Sequence, residues 1–135
     1  MPATADGKPM VMPPMRNLGD NYQEIIDELA EVGLPYLVCA NTPIETADEI
    51  KNSIAVLNKS SEAAKKAGIV MAYYNHDAEF KAVDGKVPCN LLLSETNADA
   101  LKMELDLCRV IKAEVDPVDL FKGTSKNRFN NKFIL

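Results

Sequence analysis

The chain has 135 residues, which suggests one domain with enough material for a real core. Its net charge of −5 argues against a nucleic-acid partner, because phosphate binding needs clustered Lys and Arg. No run of about 18 apolar residues occurs, so no membrane span is expected.

Residues 1–18 carry four prolines and little periodicity, and are expected to form an irregular arm ahead of a domain over 19–135. The first residues lack a basic and an apolar region, so a signal peptide is not expected. Over 21–32, Ile25, Ile26, Leu29 and Val32 stand at helical spacing, and Gly33 follows as a stop. Pro35 introduces a short buried strand over 36–40. Thr46 is placed to cap a long helix that runs to about residue 67, and Glu45, Asp48 and Glu49 suit its positive end. Lys65 and Lys66 suit the last turn, and Gly68 ends it.

An apolar run over 69–73 then stops abruptly at Asn75, His76, Asp77 and Glu79. It reads as a buried parallel strand with polar groups at its C-terminal end, where α/β sheets and barrels place their chemistry. His76 is the single histidine of the chain. Asp84-Gly85 suggests a small hairpin over 80–87, and 91–95 a short helix. The next strand, 101–107, carries Glu104 and Asp106 two residues apart and hence on one face. A helical turn over 109–113 and a helix over 118–122, opened by Pro117, follow. The segment 123–131 reads as polar and turn-like, with a strand barely begun at 133–135.

Strands alternating with helices imply βαβ units and a parallel sheet. No glycine-rich phosphate loop follows any strand. Cys39, Cys89 and Cys108 are odd in number and widely spaced, as expected of reduced cysteines in a cytoplasmic protein.

Four segments carry a resemblance to a known family. They are ELAEVGLPYLVCA at 28–40, SIAVLNKSSEAAKKAG at 53–68, IVMAYYNHDAEF at 69–80 and LLLSETNADALKMELDLCRVIKAEVDPVDLF at 91–121. Together they resemble the sugar phosphate isomerase/epimerase family, the xylose isomerase-like TIM barrels. That family shows a strand ending HNHDxEF, then an ELD strand, then a helix beginning DP. The resemblance implies an α/β fold that is a partial (β/α)8 barrel, with about three to four βα units from its middle. The family's HxKD strand and a later glutamate are then expected to lie beyond Leu135. Tyr74 replaces the first histidine of HNH, Arg109 stands where an aromatic is common, and Glu114 where a glycine is common.

By the same resemblance, the expected chemistry is metal-assisted proton transfer next to a sugar carbonyl, on a sugar or sugar phosphate. A divalent ion (Mn, Mg, Co or Zn) would polarise the oxygens. Asp106 and His76 are the implied metal ligands, and Tyr74 and His76 the implied substrate-binding groups. Glu79 and Glu104 are the implied catalytic carboxylates. Four of these residues have a plainer alternative. Asp106 could cap the following helix, His76 could hold a loop, Glu79 could be a rim residue, and Glu104 could pair with Lys102 or Lys112. Two further expectations compete with an active enzyme. One is an inactive truncated α/β fragment. The other is a half-barrel forming a homo-oligomer through unpaired strand edges.

Overall fold

A computed structural model describes residues 16–124 and 128–134. The arm expected over 1–18 lies outside the described residues up to residue 15. Leu18, its last member, already belongs to the first helix, α1, Leu18–Glu31. Asn17 starts α1 by accepting from the backbone N–H of Asp20, and so satisfies one of its orphan donors.

Strand β1, Tyr36–Cys39, leads into the 20-residue helix α2, Ala47–Lys66. Thr46 and Glu49 form a reciprocal capping box there: the Thr46 hydroxyl accepts from the Glu49 N–H, and the Glu49 carboxylate accepts from the Thr46 N–H. Gly68 ends α2 in the left-handed region, at φ +76°, which glycine adopts without steric cost. Strand β2, Val70–Tyr74, follows, then a 3₁₀ turn, Ala78–Phe80, and helix α3, Pro88–Glu95. Between them, Val83 and Lys86 pair across Asp84 and Gly85, both at positive φ, which is the hairpin turn the Asp-Gly pair predicts.

Strand β3, Leu101–Leu105, is followed by helices α4, Leu107–Lys112, and α5, Pro117–Lys122, and by strand β4, Phe129–Ile134. Three expectations need correction here. Helix α3 starts at Pro88, since proline at a first helical position lacks only a donor that would have gone unused. β3 ends at Leu105 because Asp106 turns its carboxylate onto the next helix. The segment expected to be turn-like to residue 131 is a strand from Phe129. Phe129 and Ile134 pair with Met103 and Leu105, with a register shift between Met103 and Leu105, and these two contacts draw the segment into the sheet.

The four strands lie in the order β1-β2-β3-β4, all parallel. Consecutive parallel neighbours joined through helices are the βαβ arrangement of an α/β barrel, here a partial one. One sheet face is covered. Ile26 of α1 and Ile50, Ile54, Leu57 and Ala64 of α2 pack with Met71, Tyr73, Leu92, Leu101 and Met103. The other face carries Tyr36, Val38 and Val70, which remain 40%, 42% and 36% exposed. In a closed barrel these positions fill the interior. Among the described residues, no helix is long and apolar enough to cross a membrane.

β4 is anchored by a residue the sequence reading left aside. Arg128 is only 2% exposed. Its guanidinium donates to the carbonyls of Leu93, Thr96 and Leu101 and to the Thr96 hydroxyl. A planar fork of donors suits a cluster of carbonyls at the α3–β3 loop.

Candidate functional site

The polar groups singled out in the sequence gather at the C-terminal ends of β2 and β3. Register sets them side by side, with Tyr74 opposite Glu104. Asn75 is fully buried and staples the two strand ends: its Oδ1 accepts from the Asp106 N–H at 2.8 Å and its Nδ2 donates to the Asp106 carbonyl at 3.4 Å. No periodicity could reveal this clamp, although an asparagine at the end of an apolar run was its visible trace.

Asp106 is the N-cap of α4, and both its carboxylate oxygens are engaged. Oδ1 accepts from the Arg109 N–H at 3.1 Å, and Oδ2 accepts from the Tyr74 hydroxyl. The Tyr74 hydrogen bond, helped by backbone donors, holds the Asp106 carboxyl below its ordinary range. The same bond pushes the Tyr74 phenol up, since ionising it would place two negative charges together. Tyr74 also meets the His76 ring edge-on, at 5.2 Å between centroids. It therefore touches both of the residues expected to bind metal.

Glu79 is 3% exposed and not a rim residue. Its Oε1 accepts from the Tyr73 hydroxyl at 2.7 Å, and its Oε2 accepts from the His76 backbone N–H at 2.9 Å. His76 Nδ1 lies 3.6 Å from Oε1. Glu79 thus ties the turn after β2 to the core and fixes where His76 projects. Tyr73 looked like a plain member of an apolar strand, and its hydroxyl partner lies six residues on. Burial, reinforced by Glu79, raises its phenol pKa strongly.

Asp77 is drawn the other way. It takes Lys112 Nζ at 3.0 Å and Arg109 Nη1 at 3.7 Å. The Lys112 contact lowers the Asp77 carboxyl pKa. Lys112, offered in the sequence as a partner for Glu104, reaches from α4 to Asp77 on the β2 loop. Glu104 is half-buried on the inner face beside Tyr74. Next to this row, a cleft of about 640 Å³ opens between the β1–α2 loop and the β2 end. Asn41, Thr42, Glu45, Glu49, His76 and Glu79 line it.

A divalent ion needs several converging oxygen, nitrogen or sulfur ligands. Among the described residues, no three His, Cys, Asp or Glu side chains converge in that way. Asp106 and His76 alone are too few ligands, so the described residues do not fit such an ion on their own.

The fold and this row of groups define the class: a partial α/β barrel with polar side chains at the carboxyl ends of its parallel strands. No family model and no curated protein matches the chain. Solved structures do. A sugar phosphate isomerase/epimerase from Parabacteroides distasonis ATCC 8503 matches with a TM-score of 0.76 and 29% identity, over 88% of this chain and 48% of that one. A second structure of that description from the same organism matches with a TM-score of 0.70 and 26% identity, over 78% of this chain and 42% of that one. The resemblance to the sugar phosphate isomerase/epimerase family read from the sequence is borne out, as is the partial barrel. The chain spans about half the length of the solved structures it matches, 48% and 42%.

Proposed function

We propose that the chain carries part of a sugar site of the isomerase/epimerase kind, which acts by moving a proton next to the carbonyl of a sugar or sugar phosphate. The observation that carries this reading is the row Tyr74, His76, Glu104 and Asp106 at the carboxyl ends of two adjacent strands, in a chain similar to proteins of that description. Glu104 is the group we assign to proton transfer, because it stands half-buried on the open face beside Tyr74. The Tyr74 hydroxyl and His76 ring would meet substrate hydroxyls. Glu79 is a positioning residue for His76, since both its oxygens are engaged inside the fold.

The test is proton NMR of a panel of aldoses, ketoses and their phosphates in deuterated water. Enzyme-dependent deuterium at the carbon next to the carbonyl, lost in Glu104→Gln, supports the reading. Deuterium incorporation that survives in Glu104→Gln, or none with any sugar, overturns it.

The uncovered face favours a second reading, a homo-oligomer of two copies. Tyr36, Val38 and Val70 are exposed there, and β1 and β4 form the two sheet edges. Four strands from each of two copies would make the eight of a closed barrel. Light scattering should then give twice the chain mass of 14.8 kDa, and a monomer would contradict it.

A further inference from the structure

We infer that Arg109 sets the specificity of this site: the ligand is a sugar phosphate, with its hydroxyl-bearing end in the cleft beside His76 and its phosphate on the Arg109 guanidinium. This rests on the proposed sugar site and goes further by naming the ligand and its direction across the strand ends.

The first argument is how charge is shared across the site. Glu45, Glu49 and Glu79 line the cleft on the β1 side, together with Asn41 and Thr42. Among the described residues, no Lys or Arg lines it. Sugar hydroxyls can donate to such acceptors. A phosphate ester, which carries about −1.5 to −2 charges at neutral pH, is repelled by them. The cations stand on the β3 side, where Arg109 and Lys112 of α4 face Asp77. His76 joins the two sides, since it lines the cleft and is followed directly by Asp77.

The second argument is that the two cations are not alike. Lys112 Nζ meets Asp77 Oδ2 at 3.0 Å, and this contact lowers the Asp77 carboxyl. Arg109 Nη1 stays 3.7 Å from Asp77 Oδ1, beyond hydrogen-bond distance. The Arg109 side chain is 41% exposed, so a ligand can reach its planar fork of donors. That fork can take two phosphate oxygens at once, which a single ammonium cannot match. The Arg109 backbone N–H donates to Asp106 Oδ1 at 3.1 Å, which fixes the root of the side chain at the end of β3.

Amide NMR titrations of the isotope-labelled full chain test this, with a panel of aldoses and ketoses and the phosphate ester of each. A sugar that binds should bind at least about fivefold tighter as its ester, because a charge-assisted hydrogen bond is added. The parent sugar should shift the Asn41 and Thr42 amides, and the ester should shift these and the Arg109 Nε–H signal. Arg109→Gln should cut the preference for the ester to about twofold or less and leave parent-sugar affinity unchanged, since the backbone cap remains. Lys66→Gln, which removes the same charge in the last turn of α2 at the far end of the sheet, should leave the preference intact. A wild-type preference below about fivefold, or more than about twofold retained in Arg109→Gln, overturns the inference while the sugar site stands. A chain that binds no sugar and no ester overturns the proposed function and the inference together.

Discussion

The Tyr73 hydroxyl donates to Glu79 Oε1 at 2.7 Å, inside the protein, across the turn that follows β2. Tyr73 is 1% exposed and Glu79 3%, so the bond is shielded from bulk water. Removing the donor leaves a buried carboxylate oxygen unsatisfied. Tyr73→Phe should therefore cost about 2 kcal/mol in urea unfolding, at the upper part of the range for an unmade buried hydrogen bond. Glu79→Ala should free the turn as well, and amide exchange at residues 76–80 should speed up together.

Arg128 supports a second expectation. Four acceptors around the α3–β3 loop depend on one buried guanidinium. Arg128→Met should cost about 3 kcal/mol or more, because several buried carbonyls lose a charged donor at once. Arg128→Lys should recover little of that loss, since a single ammonium cannot reproduce the planar fork. Chemical denaturation of both variants checks this.

The ends of α2 and its apolar face give a calibration of the fold itself. Thr46→Ala removes one half of the capping box and should cost about 1 kcal/mol. Leu57 is 1% exposed in the core cluster. Leu57→Ala should cost about 2–5 kcal/mol, with the spread set by how far the cavity collapses.

Acid should weaken the site end of the molecule. The Asp106 carboxyl lies below its ordinary value in the folded chain, chiefly through the Tyr74 hydrogen bond. A group depressed on folding contributes stability that is fully present above its unfolded value, near pH 4, and is lost as pH falls through the folded value. Asp77 acts in the same direction through Lys112. Melting temperature should therefore drop on acidification below about pH 4. Asp106→Asn should flatten that drop, because asparagine caps a helix about as well as aspartate but does not titrate there. A steeper drop in the variant would contradict the assignment.

Much of this was legible in the sequence, for local reasons. The Thr46 cap, the Gly68 stop and the Asp84-Gly85 turn each work within a few residues, and the structure places all three as read. The apolar run into His76 and the Glu104–Asp106 spacing fall at the C-terminal ends of β2 and β3, which lie side by side. What stayed hidden depends on partners far along the chain. Tyr74 reaches Asp106 across 32 positions, and Arg128 reaches Thr96 across 32. The strand that starts at Phe129 is set by its contacts with Met103 and, at Ile134, with Leu105, which no local pattern shows. Spacing rules could not show that Glu79 is buried, since that follows from its contacts with Tyr73 and the His76 N–H.

The most direct test of the sugar site is an amide NMR titration of the isotope-labelled chain with a panel of ketose and aldose phosphates. The predicted result is a saturable set of shifts confined to residues 40–45, 74–79 and 104–109, at the carboxyl ends of the strands. Shifts at the opposite end of the sheet, or none with any sugar, would contradict it.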